Sequence, residues 1–171
     1  MASNEYHFIT EWRVEGTVEQ AYRLLADAPD LVRWWPTVYL DVRELSPGDP
    51  NGIGKVVSLH TKGWLPYTLR WQYRVTEAIF PEGFGFRATG DFVGRGIWRF
   101  HQDGEYVKMT FDWKIRADKP LLRYLSFLAK PIFSANHRWA MAQGEKSLRA
   151  ELARRRVSSE SQSRDFLLES R

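Results

Sequence analysis

The chain has 171 residues, the length of one domain with a single substantial hydrophobic core, so a second domain is not expected. It has no cysteine, which excludes disulfides, thiolate metal sites and redox chemistry at sulfur and fits a reducing compartment. The net charge is +4, but Arg154 to Arg171 holds five basic and three acidic side chains, half of that excess, and the rest has no basic run to follow a phosphate backbone. Nucleic-acid binding is therefore not expected.

Aromatic residues make up 15% of the chain, with 8 Trp, 7 Tyr and 10 Phe. So many rings can do more than fill a core, because surplus aromatic surface can also wall a cavity. The polar start, Met1 to Tyr6, runs straight into a strand, and no stretch approaches the roughly 20 apolar residues that cross a bilayer. The expectation is a cytoplasmic protein with no transmembrane segment.

The first strand is predicted at about Tyr6–Val14, with Phe8, Trp12 and Val14 on one face and His7, Glu11 and Arg13 on the other. Thr17 followed by Gln20 makes a capping box, and Val18, Ala21, Tyr22 and Leu25 then recur at helical spacing. A second brief helix around Pro29–Trp35 starts on a proline and stops at Pro36. From there to Arg116 the pattern is β, with turns at Pro47–Gly54, Pro81–Gly83 and Asp103-Gly104, giving six to seven strands in all. Tyr67, Leu69, Trp71, Tyr73 and Val75 alternate with polar residues, as do Val107, Met109, Phe111, Trp113 and Ile115, the signature of an antiparallel sheet solvated on one face.

After Lys119 the period becomes helical, from Pro120 through Leu121, Leu122, Leu125 and Leu128, with an interruption at Pro131. Phe133, His137, Met141, Gly144, Leu148 and Leu152 then mark the buried stripe of one long kinked helix. Arg154-Arg155-Arg156 reads as a solvated helix end, and residues 156–171 as a mostly disordered polar tail in which Phe166-Leu167-Leu168 could dock. The fold class is α+β: a curved antiparallel sheet wrapped around a long C-terminal helix, with two short helices after the first strand.

Several segments carry a resemblance: the opening strand with the capped helix Thr17–Leu25, Arg33-Trp34-Trp35-Pro36, Gly90-Asp91-Phe92-Val93-Gly94-Arg95-Gly96-Ile97-Trp98, and the final helix. With this order of elements, residues 6–155 resemble the START-like helix-grip superfamily, and within it the polyketide cyclase/dehydrase-like proteins also called SRPBCC. The resemblance implies that residues 1–155 form a ligand-binding domain with a cavity between helix and sheet for lipids, polyketides or other apolar molecules. Members of that superfamily range from carriers to cyclases and co-chaperone modules, so the fold does not by itself fix a function.

Side-chain parity places Trp12, Trp71, Tyr73, Phe111 and Trp113 inward, with His137 and Met141 projecting from the helix and Trp35 near the mouth. Trp98 and Asn136 complete the candidate ligand-binding set. His137 offers a general base, a general acid or a ligand anchor, against the alternative of a hydrogen-bonded core histidine. Asp91 and Arg95, four apart in a glycine-rich bend, offer an acid/base or oxyanion-binding pair, against an ion pair that pins a bulge. His7, His60 and His101 have no spacing that gathers metal ligands, and no nucleotide or cofactor motif is present.

Three functions follow: binding of a hydrophobic or amphipathic small molecule, a cyclase or dehydratase reaction using His137 with Asp91 or a tyrosine, and a protein-interaction module presenting Arg70 and Arg74. The sequence leaves the oligomeric state open.

Overall fold

The computed structural model describes residues 5–117 and 126–169. The expected helix start at Pro120, with Leu121, Leu122 and Leu125, lies outside the described residues, as do the first four residues of the chain.

Strand β1 (Glu5–Glu15) turns Tyr6, Trp12 and Val14 into the core and leaves His7, Glu11 and Arg13 in water. Ile9 falls outside the alternation and is exposed. Helix α1 (Val18–Ala26) begins at the expected capping box, with Thr17 Oγ1 accepting from the Gln20 N–H at 3.3 Å and Gln20 Oε1 accepting from the Thr17 N–H at 3.0 Å. A 3-10 turn, Ala28–Asp30, carries Pro29 at its start and leads into α2 (Leu31–Trp34), which ends at Trp35 before Pro36.

Six consecutive strands follow: β2 (Tyr39–Ser46), β3 (Val56–Lys62), β4 (Thr68–Ile79), β5 (Gly83–Gly90), β6 (Phe92–Asp103) and β7 (Tyr106–Ala117). All pair antiparallel, and β1 adds beside β7, giving the sheet order β1-β7-β6-β5-β4-β3-β2. Register shifts at Tyr39/Asp41 and Glu44/Ser46 of β2 and at Val75/Glu77 of β4 break the ladder and bend the sheet. Both alternating runs face as expected, with Leu69, Trp71, Tyr73 and Val75 of β4 and Val107, Met109, Phe111, Trp113 and Ile115 of β7 all buried. Arg70 and Arg74 occupy the wet face.

Helix α3 (Ser126–Glu169) lies across the inner face and buries Phe133, Met141, Leu148 and Leu152. It runs on through Pro131, so the expected interruption does not end the helix. Packing along α3 is uneven. Toward Leu148 and Leu152 the core is solid: Val14, Val107 and Leu148 have no exposed surface, Met109 keeps 1%, and Leu152 reaches Gly16. Toward Phe133 and Met141 the layers stand apart around a cavity.

Two expectations are corrected. Arg154 and Arg155 do not cap a helix end, because α3 continues to Glu169 and both guanidiniums turn back onto Glu151. The tail expected to be disordered is helical, with Ser158, Ser159, Ser161 and Ser163 each donating Oγ–H to the carbonyl four residues earlier. Its Phe166, Leu167 and Leu168 are 65–74% exposed, so they are not docked on the sheet.

Candidate ligand-binding cavity

The cavity has a volume of about 120 Å³ and lies between the inner face of the sheet and the Phe133–Met141 stretch of α3. One wall is a run of nearly parallel rings: Trp98 stacks on Phe111 at 4.5 Å, and Phe111 stacks on Trp113 at 5.6 Å. Trp71 meets Trp113 at 5.6 Å, and Tyr73 meets Phe86 at 4.6 Å, which carries the aromatic lining onto β4 and β5. These rings fit because Gly96, paired with Phe86 and Trp113 on neighbouring strands, offers only hydrogen where a Cβ would collide with Phe86 and Phe111.

Of the residues expected to bind ligand, Trp35, Trp71, Tyr73, Trp98, Phe111, Trp113, Asn136, His137 and Met141 all line this one space. Trp12 does not. It stands behind the lining, 5.0 Å from Trp98 and 5.5 Å from Trp35, and supports both. Nor does Trp35 stand at an open mouth: it is 3% exposed and wedged against α3.

Trp35 is held there by an ionic clamp. Arg33, on the same short helix, donates to both oxygens of the buried Glu151, at 3.1 and 2.7 Å, and grips Asp30 through two 2.7 Å bonds. Arg154 and Arg155 also bond Glu151, and this ring of guanidiniums holds its carboxyl far below the usual carboxylate range. Nothing in the sequence pointed to a pair 118 positions apart.

The polar lining is sparse. Asn136 Oδ1 accepts from the backbone N–H groups of Trp64 at 2.8 Å and Leu65 at 3.3 Å, so this amide pins the β3–β4 loop to α3. Gly63 makes this possible, since a Cβ there would occupy the place of the Asn136 amide. Thr61 accepts from Trp71 Nε1 at 3.0 Å. His137 stacks on Phe8 at 4.1 Å, and its Nε2 has no hydrogen-bond partner among the described residues. Burial, followed by the nearby Arg138 charge, lowers its pKa to about 4, so the ring is neutral at pH 7. Tyr39 and Tyr73 also line the cavity, and burial pushes both phenols upward.

Asp91 and Arg95 are not a pair at the cavity. Asp91 Oδ2 accepts from the Arg70 N–H at 2.8 Å in the β5–β6 turn, and Arg95 reaches Asp112 at 3.3 Å. Neither is among the described residues that line the cavity. Sequence reasoning also missed Phe86 and Tyr39, although the alternation of Phe84, Phe86 and Ala88 in β5 carries a signal for the first.

Comparison with family models finds none that matches, and comparison with curated sequences finds no match either. Solved structures do match over most of the chain. The Zhui aromatase/cyclase from Streptomyces sp. R1128 superposes with a TM-score of 0.70 at 19% identity, covering 88% of this chain and 95% of its own. A START superfamily protein from Mycobacterium smegmatis gives 0.67 at 12% identity, covering 86% and 97%. The di-domain ARO/CYC StfQ of the steffimycin biosynthetic pathway gives 0.63 at 16% identity, with 87% of this chain spanning 52% of that one. The chain thus shares the helix-grip fold of these solved structures, a curved antiparallel sheet closed by a long C-terminal helix. Its sheet has seven strands, and none of the described helices is long and apolar enough to cross a membrane.

Proposed function

We propose that the protein binds an apolar or amphipathic small molecule in the cavity between the sheet and α3. The observation that carries this reading is the hollow itself: side chains that would fill a core instead stand as rings around an open space of about 120 Å³. Each 100 Å² of apolar guest surface removed from water contributes about 2.5 kcal/mol, which the few polar groups of the lining then orient. Native mass spectrometry of freshly purified protein tests the reading, with a retained small-molecule adduct as the expected result. Protein that carries no adduct and also ignores apolar dyes counts against it and favours an interaction module acting through the exposed Arg70 and Arg74 face.

A second reading, a cyclase or dehydratase, draws on the likeness to aromatase/cyclases and on the neutral His137 in the lining. No carboxylate is among the described lining residues, so the proton partner of His137 would be Tyr39 or Tyr73. Under this reading His137→Ala abolishes turnover and leaves the thermal midpoint nearly unchanged. Loss of both together makes the histidine structural.

A further inference from the structure

We propose that the guest is an uncharged single-ring aromatic compound bearing an oxygen acceptor, an aryl ketone or aryl ether in class; this rests on the cavity being a binding site. Size sets the first limit. A cavity of about 120 Å³ is slightly smaller than the engineered apolar cavity of about 150 Å³ that holds one benzene, and well below the roughly 300–1,000 Å³ of pockets for drug-sized ligands. A fused tricycle or a long acyl chain needs α3 to move away from the sheet. One ring with a short substituent asks for far less movement.

Wall chemistry sets the second limit. Trp98, Phe111 and Trp113 present near-parallel faces, with interplanar angles of 15° and 20° along the row, and a flat π-system lies well on or against such faces. The third limit is charge. Among the described lining residues only Lys62 is charged, and it is exposed at the rim, so nothing in the interior compensates a buried carboxylate or ammonium.

The polar groups left over then fix the substituent. The hydroxyls of Tyr39 and Tyr73 take no hydrogen bond within the described residues, and both residues line the cavity. Burial keeps both phenols protonated at pH 7. The lining therefore offers neutral O–H donors with no acceptor among the described residues, and a guest oxygen with lone pairs answers them where a plain hydrocarbon does not.

Isothermal titration of the full chain at pH 7 with acetophenone, ethylbenzene, benzoate, palmitate and anthraquinone tests this. Acetophenone should bind about 3- to 10-fold tighter than its near-isostere ethylbenzene, the range for one hydrogen bond, and benzoate at least about tenfold weaker than acetophenone. Tyr39→Phe or Tyr73→Phe should shrink the ratio of acetophenone to ethylbenzene affinity toward one, and a cooperative thermal transition shows that the variant has folded. Equal affinity for acetophenone and ethylbenzene, or tightest binding by benzoate, palmitate or anthraquinone, overturns the inference and leaves the binding function standing. If none of the five binds, both fall.

Discussion

The indole of Trp35 lies against α3 at Gly144, its six-membered ring filling the space in which any other residue would carry a Cβ. A glycine inside a helix costs about 1 kcal/mol relative to alanine, so close approach of the ring is the reason for it here. Trp12 at 5.5 Å and Tyr39 at 5.1 Å each meet the same indole in an edge-to-face contact. Trp35 is thus fixed between the helix and the other aromatics, and its position sets how much of the cavity stays open.

Gly144→Ala gains helix propensity yet must push the indole off the helix. The expected net result is a loss of about 1–3 kcal/mol in urea unfolding, the usual consequence of overpacking, in place of the gain of about 1 kcal/mol that propensity alone gives. A variant more stable than the parent would show that Trp35 moves aside freely.

The clamp that seats Trp35 should be both strong and acid-sensitive. Glu151 is 5% exposed and faces Arg33, Arg154 and Arg155, so Glu151→Gln leaves three guanidiniums crowded with only Asp30 to balance them. Breaking a buried pair costs about 3–5 kcal/mol, and the low end applies because the guanidiniums reach water. The pKa of Glu151 is depressed on folding, so its contribution is fully present above the unfolded value near 4.5 and is lost as pH falls through the folded value. The gap in stability between parent and Glu151→Gln should therefore be constant from pH 8 to 5 and narrow below pH 4.5. Chemical denaturation across that range measures it.

What the sequence made legible was whatever depends on local period. The β4 and β7 alternations, the Thr17 capping box and the Phe133 to Leu152 stripe are readable because each residue's facing follows from its near neighbours. The candidates for the site divide on the same line. Trp71, Tyr73, Phe111 and Trp113 are inward by parity and do line the cavity. Asp91 and Arg95 failed because four-residue spacing says nothing about partners across the sheet, and the turn at Asp91 sends the two side chains to Arg70 and Asp112. Trp12 shares the inward parity but sits one layer back, a distinction that period alone cannot draw. The helical tail was hidden because serines read as breakers even when each side chain bonds back within its own helix.

Asn136 should control the loop over the cavity more than global stability. Its Oδ1 is the acceptor for two consecutive backbone N–H groups, of Trp64 and Leu65, and Trp64 is half exposed. Asn136→Ala is expected to cost about 1 kcal/mol, since the freed amides can turn to water. In hydrogen exchange the Trp64 and Leu65 amides should lose protection while those of β7 keep theirs. Unchanged protection at residues 64 and 65 would mean the loop is held by something other than this amide.

His137 gives a second pH window, distinct from that of Glu151. Its pKa falls from about 6.5 in the unfolded chain to about 4 in the fold, so between those values the unfolded chain binds the proton and the folded chain does not. Stability should therefore rise with pH from 4 to 6.5 and level off above, by on the order of 2 kcal/mol, because the neutral ring is what the apolar site and the Phe8 face accept. His137→Gln, which cannot protonate, should flatten this slope and leave the fall below pH 4.5 in place. NMR titration of the imidazole should place its midpoint near 4. A midpoint near 6.5 would mean that water reaches the ring, and with it the interior that the Phe133 to Met141 stretch of α3 covers.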